Sequence, residues 1–231
     1  MKVRCFDTGH VSVATTYLNI ANVLKNQGKN HEALEKYKMC LEIKKKALGD
    51  EHSEVPDAKW GIAMIHQNLG EYEDALKLYN EVLENKVRCF GTGHVSVAAT
   101  EKNIGNVLLA KGDYENALLR HQKALEIEEK SLGQHVSVAS TYNNMAVVEQ
   151  QLGNFQKALE LYEKSLEIKI KSLGESHVSC ANTKYNIALV YRKQGNRSKA
   201  QQLFREAASV YGTVYGEEHS ETIDALKQAA Q

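Results

Sequence analysis

Six histidines recur through the chain at near-constant intervals: His10, His52, His94, His135, His177 and His219, separated by 42, 42, 41, 42 and 42 residues. A regular period of this size constrains the fold more than any local propensity does. One such unit cannot bury an apolar face alone, so it must stack on its neighbours. Four of the histidines open nearly the same word: His10-Val11-Ser12-Val13-Ala14, His94-Val95-Ser96-Val97-Ala98, His135-Val136-Ser137-Val138-Ala139 and His177-Val178-Ser179-Cys180-Ala181. The words beginning at His52 and His219 are divergent relatives. The single missing residue falls in Leu132-Gly133-Gln134-His135, a connection, where a deletion does least harm.

Each unit reads as two helices. In the fourth, Val138, Tyr142, Met145, Ala146 and Val148 follow helical spacing. Gly153 then stops the helix as a left-handed cap. A second amphipathic run follows through Phe155, Ala158, Leu159, Tyr162, Leu166 and Ile168. The stop glycine recurs as Gly28, Gly70, Gly112, Gly153 and Gly195. Five residues beyond it stands Ala33, Ala75, Ala117, Ala158 or Ala200, where a larger side chain would push two helices apart. Four further on comes a ring, at Tyr37, Tyr79, His121, Tyr162 and Phe204, expected to fill the space between hairpins. A lone proline, Pro56, suits long uninterrupted helices.

The pattern Asn-Ile-Ala-x-Val-x-x-x-Gln-Gly-(x)4-Ala-x-x-x-Tyr in residues 19–37 resembles the tetratricopeptide repeat (TPR), with a period longer than the usual ~34. The linking phrase Leu48-Gly49-Asp50-Glu51-His52 resembles the repeats of kinesin light chains. The resemblance implies an all-α fold: a right-handed superhelix, or α-solenoid, of stacked antiparallel helical hairpins. The expected division is a single repeat domain over 1–231. Residues 1–9, which match 85–93, would be the tail of a preceding helix, as in a longer array or one that lacks its first helix. Repeats then occupy 10–51, 52–93, 94–134, 135–176 and 177–218, and 219–231 form a capping helix.

By the same resemblance, the first helix of each unit lines a concave groove that binds an extended peptide. Counting back from each stop glycine places on that wall Asn22 and Lys25, Trp60 and Met64, Lys102 and Asn106, Asn143 and Val147, and Tyr185, Leu189 and Arg192. One further wall position carries Asn19, Asn103, Asn144 and Asn186, with Gly61 as the exception. An asparagine amide both donates and accepts, so a ladder of them suits the main chain of a peptide. The alternative is that they brace neighbouring helices. Basic residues outnumber acidic ones on this wall, and apolar side chains are interspersed. An acidic segment with an aromatic anchor is therefore the expected ligand. The two-Lys/Arg, two-Asn clamp that some TPR proteins use for chaperone tails is incomplete: Lys102, Asn106 and Asn144 match it, but Asn182 and Asn186 stand where basic residues are required.

The expected function is a non-catalytic adaptor, with cargo recognition of the kinesin light chain kind if the resemblance extends to function. The alternative is a structural or self-associating segment of a larger signalling protein, joined through open repeat ends. Lys plus Arg equals Asp plus Glu, 29 against 29, so nothing draws the chain globally to nucleic acid or anionic membrane. No apolar run approaches the ~18 residues of a membrane span. The start lacks a signal peptide, and a cytoplasmic location is the expectation. Cys5, Cys40, Cys89 and Cys180 form no C-x-x-C pair, so neither a disulfide framework nor a zinc site is suggested. One histidine per repeat cannot chelate across neighbours, because packed helices lie ~8–10 Å apart and zinc ligands must reach within ~2.1 Å of one ion. The recurrent histidines are read instead as shaping the loop and the start of the next helix. His31, His66 and His121 show no partner pattern. No cofactor, metal or catalytic residue is expected.

Overall fold

The computed structural model describes residues 11–231. Cys5, His10 and the expected helix tail at 1–9 lie outside them. The described residues form eleven α-helices and no strand. They fall into two compact units, one ending at Asp113 and the other starting at Tyr114. The first unit holds α1 (Val11–Asn26), α2 (Asn30–Leu48), α3 (Val55–Leu69), α4 (Tyr72–Phe90) and α5 (Val95–Lys111). The second holds α6 (Tyr114–Leu132), α7 (Val136–Gln151), α8 (Phe155–Leu173), α9 (Val178–Lys193), α10 (Arg197–Tyr215) and α11 (Ser220–Ala229).

Within the first unit α1 pairs with α2 and α3 with α4. Each second helix also packs on the helix that follows it, α2 on α3 and α4 on α5. The second unit repeats the scheme: α7 pairs with α8 and α9 with α10, and the contacts run on from α6 to α7, α8 to α9 and α10 to α11. The turn between paired helices is set by glycine. Gly70 has φ 78° and Gly153 φ 81°, backbone that a Cβ would strain. Around each, the next N–H reaches back over the turn, Glu71 to the His66 carbonyl and Asn154 to that of Glu149, both at 2.9 Å. This is the double closure that ends a helix without orphaned carbonyls.

The small and ring positions build the interior. Ala33, Ala75, Ala117 and Ala158 are wholly buried, as are Tyr37, Tyr79, His121, Tyr162 and Phe204. In the first unit Tyr37 sits with Ala21, Ala33, Ile62 and Ile65, joining the first hairpin to the second. In the second unit Tyr162 sits with Ala146, Ala158, Ile187 and Val190, and Phe204 with Ala188, Ala200 and Ala229. Gly61 breaks the asparagine series for a packing reason. A Cβ at that position would overlap the ring of Tyr37.

Four of the recurrent histidines act as helix N-caps. The Nδ1 atoms of His94, His135, His177 and His219 accept from the N–H two residues on, at 3.2, 3.1, 3.0 and 3.3 Å. His52 accepts from Glu54 at 3.3 Å in the turn ahead of α3, where Glu54 itself is the N-cap. The imidazole does what a serine or asparagine side chain does at other helix starts. Cys40 and Cys180 are buried in the interior and Cys89 is exposed.

Candidate functional site

Every residue expected on the binding wall lies on α1, α3, α5, α7 or α9, the first helices of the hairpins. Asn19 is exposed and the rest are half-buried. In the first unit, Lys25 Nζ approaches Met64 Sδ at 3.9 Å. Asn22 is committed to the fold: its Oδ1 accepts from the Tyr37 hydroxyl at 2.6 Å. Trp60 turns its indole N–H inward, where it is shielded from solvent and finds no acceptor among the described residues. Lys102, Asn106 and Asn144 each already interact with another group of the chain, whereas no hydrogen bond reaches the Asn103 amide among the described residues.

In the second unit several wall residues converge on a cleft of about 680 Å3. Asn143 comes from α7 with Val136 and Ser140. Asn182, Tyr185 and Asn186 come from α9 with Ser179. The amides of Asn143 and Asn186 have no hydrogen-bond partner among the described residues, so both donors and acceptors face the cleft unspent. Asn182 is different, since its Oδ1 accepts from the Tyr211 hydroxyl at 2.7 Å. Tyr185 donates to Asp224 Oδ2 at 2.5 Å. Burial, and then that bond, push its pKa up to about 12. Four expected wall residues are not brought into the cleft: Asn144, Val147, Leu189 and Arg192. Val147 packs on the interior around Tyr162, and Leu189 on that around Phe204. Arg192 lays its guanidinium 5.5 Å from the centre of the Phe204 ring and bonds to Gln228 on α11.

Five lining residues come from elsewhere: Lys169 on α8, Tyr211 on α10, and Ser220, Glu221 and Asp224 on α11. Counting from first helices alone could not find them. A signal for Lys169 was nonetheless available. Sixteen residues after each stop glycine stand Lys44, Lys86, Glu128, Lys169 and Tyr211, a polar series on the face of the second helix that ought to be apolar. The structure buries it: Lys44, Glu128 and Lys169 are 3%, 2% and 6% exposed. The polar heads dock on the start of the next helix. Lys44 donates to the Glu54 carbonyl at 3.0 Å, and Lys86 to the Thr100 hydroxyl at 3.2 Å. Glu128 accepts from the hydroxyls of Ser137 and Thr141, both at 2.5 Å. Lys169 donates to the Thr183 hydroxyl at 2.7 Å.

His66 does have partners, contrary to the sequence reading. Its Nδ1 lies 2.5 Å from Glu71 Oε2 across the Gly70 turn, and with Asp74 the three ligand-type atoms fall within 4.8 Å of one another. The turn brings together residues whose spacing matches no familiar metal motif. Glu71 and Asp74 are exposed, as in an ordinary solvated ion pair. No helix among the described residues is long and apolar enough to cross a membrane.

The family profile described as the tetratricopeptide repeat matches residues 54–130 and 137–213, and a second profile of the same description matches 13–54. Among solved structures, the nearly identical TPR-like repeats of a candidate kinesin light chain from Podosopora anserina are 24% identical with a TM-score of 0.73. That match covers 88% of this chain and 97% of the other. BtubC (BKLC) from P. vanneervenii is 19% identical with a TM-score of 0.76, covering 91% and 84%. The apo form of RapI is 18% identical with a TM-score of 0.75, covering 94% and 81%. At these identities the likeness is one of fold, an α-solenoid of helical hairpins. No curated protein is a significant match.

Proposed function

Because the chain belongs to the tetratricopeptide repeat family, whose members generally serve as protein-interaction scaffolds, we propose that it is a non-catalytic adaptor that grips an extended segment of a partner protein on its first-helix faces. The observation that carries this reading is the pair of unspent amides, Asn143 and Asn186, in the cleft of the second unit. A half-buried amide with no partner in the chain is left to water or to a ligand. Two asparagines left open on one cleft, while Asn22 and Asn182 brace tyrosines, divide the asparagines into structural and available ones. An amide matches the donor and acceptor of a peptide group whatever the side chains are.

The finer reading is a cytoplasmic adaptor for an acidic segment with an aromatic anchor, in a cargo-recognition role of the kinesin light chain kind. Lys25 beside Met64 in the first unit, and Tyr185 and Lys169 on the walls of one cleft in the second, favour a ligand that combines acids with a bulky apolar group. The test is a random-peptide display selection on the full chain, with the Asn143→Ala/Asn186→Ala variant in parallel. Enriched peptides that the variant loses would support the proposal. No enrichment, together with a mass that rises with concentration, would overturn it in favour of a self-associating segment.

A further inference from the structure

We propose that the cleft of the second unit selects a bipolar peptide segment, one that sets a carboxylate on Lys169 and a cationic side chain against Glu221 and Asp224. This rests on the peptide-binding reading above and, for this cleft, replaces its acidic segment with one that carries a cation as well. Lys169 is 6% exposed and lines the cleft, yet it spends only one N–H, on the neutral hydroxyl of Thr183. Its repeat counterparts are better provided. Lys44 reaches both the carbonyl of Glu54 and its carboxylate, the latter at 3.3 Å. Lys86 reaches the Ser96 carbonyl at 3.4 Å as well as the Thr100 hydroxyl. Lys169 has no carboxylate within ion-pair distance among the described residues. A buried ammonium without a counter-charge is unfavourable, and burial holds its pKa below the ordinary lysine value. A ligand carboxylate would supply the missing charge and take up the open donors.

The acidic side of the cleft comes from α11. Asp224 accepts from Tyr185 and, at 3.3 Å, from Gln228. The Glu221 carboxylate has no hydrogen-bond or ion-pair partner among the described residues. Neither acid neutralises Lys169, so one cleft presents two separated charges of opposite sign with the open amides of Asn143 and Asn186 also on its walls. A purely acidic ligand would satisfy Lys169 and meet repulsion at α11. A purely basic one would do the reverse. A segment carrying both is complementary throughout.

The experiment is fluorescence polarisation with the full chain and four pools of short labelled peptides of otherwise randomised sequence. One pool contains Glu and Lys, one Glu only, one Lys only, and one neither, all with blocked termini. A fifth arm frees the C-terminus of the Lys-only pool, which distinguishes a terminal carboxylate from a side-chain one. The expected result is that a pool carrying both charges binds about tenfold tighter than either single-charge blocked pool. Lys169→Gln should reduce it to the level of the Lys-only pool, and Glu221→Gln/Asp224→Asn to that of the Glu-only pool. The second variant alters exposed residues and leaves the interior intact, so it decides the matter even if the first misfolds. Equal binding by all pools, or affinity unmoved by the α11 variant, would overturn the bipolar ligand while display-selected peptides that depend on Asn143 and Asn186 would leave the adaptor reading standing. Failure of every peptide, selected or pooled, would overturn both.

Discussion

Gly61 stands where four other units carry asparagine, and the ring of Tyr37 fills the space its side chain would need. Gly61→Asn should therefore overpack the first unit and destabilise the chain by about 2 kcal/mol, read as a lower midpoint in denaturant. An unchanged midpoint would mean that the ring moves aside freely. Lys169 leads to the opposite expectation. Its charge is buried against one neutral partner, so Lys169→Met should leave stability unchanged or raise it by about 1 kcal/mol while weakening peptide binding. A loss of several kcal/mol on thermal unfolding would show instead that the ammonium holds the hairpins together. Most of the interior residues were legible from period alone. The alanine and ring positions recur at fixed distances from the stop glycine, and every one of them is buried. The roles of the asparagines were not legible. Asn22 and Asn143 both lie on the wall, one helical turn apart in the repeat frame, yet one accepts from a tyrosine and the other is open. That difference depends on hydroxyls from another helix, which no spacing along one helix reports.

At the level of the helix, the capping histidines and the ion pairs carry separate predictions. His177 closes the start of α9 through Nδ1. His177→Ala should cost about 1 kcal/mol and His177→Asn less than half of that, since asparagine can accept the same N–H. Equal losses would mean that the imidazole acts by packing. Lys184 on α9 bridges Glu175 and Glu206, each at 2.9 Å. Burial works against its charge, but the two carboxylates outweigh this and raise its pKa. The bond from Lys184 holds the Glu206 pKa below the ordinary glutamate value of 4.5. A depressed carboxylate contributes stability above its unfolded pKa and loses it as pH falls through the folded value. The wild type should thus be more heat-stable than Lys184→Met at neutral pH, with the gap closing as pH drops below 4.5. The gap should be small, because Glu206 and Glu175 are partly solvated. A gap that persists in acid would assign the effect to packing of the lysine stem. Helix existence was readable from caps and periodicity. The burial of Lys44, Glu128 and Lys169 ran against the amphipathic rule, because each polar head finds a specific acceptor or donor on the next helix or at its start.

Across the whole chain, an all-α array of hairpins followed from the recurrence of one histidine word, since a repeat that long and that regular has few ways to bury itself. The binding surface was legible only in part. Asn143, Tyr185 and Asn186 were placed on the wall by counting and do share a cleft. Lys169, Tyr211, Glu221 and Asp224 reach the same cleft from a second helix of each of two hairpins and from α11, through tertiary packing that a one-helix count cannot carry. The most direct measurement is therefore on the cleft itself: side-chain amide resonances of the full chain followed by NMR as a display-selected peptide is added. Peptide binding on the first-helix face predicts that the Asn143 and Asn186 amide signals shift together and saturate with the same affinity, while an exposed amide on a second helix, such as that of Asn116, stays in place. Saturable binding that leaves both asparagine amides unmoved would contradict it.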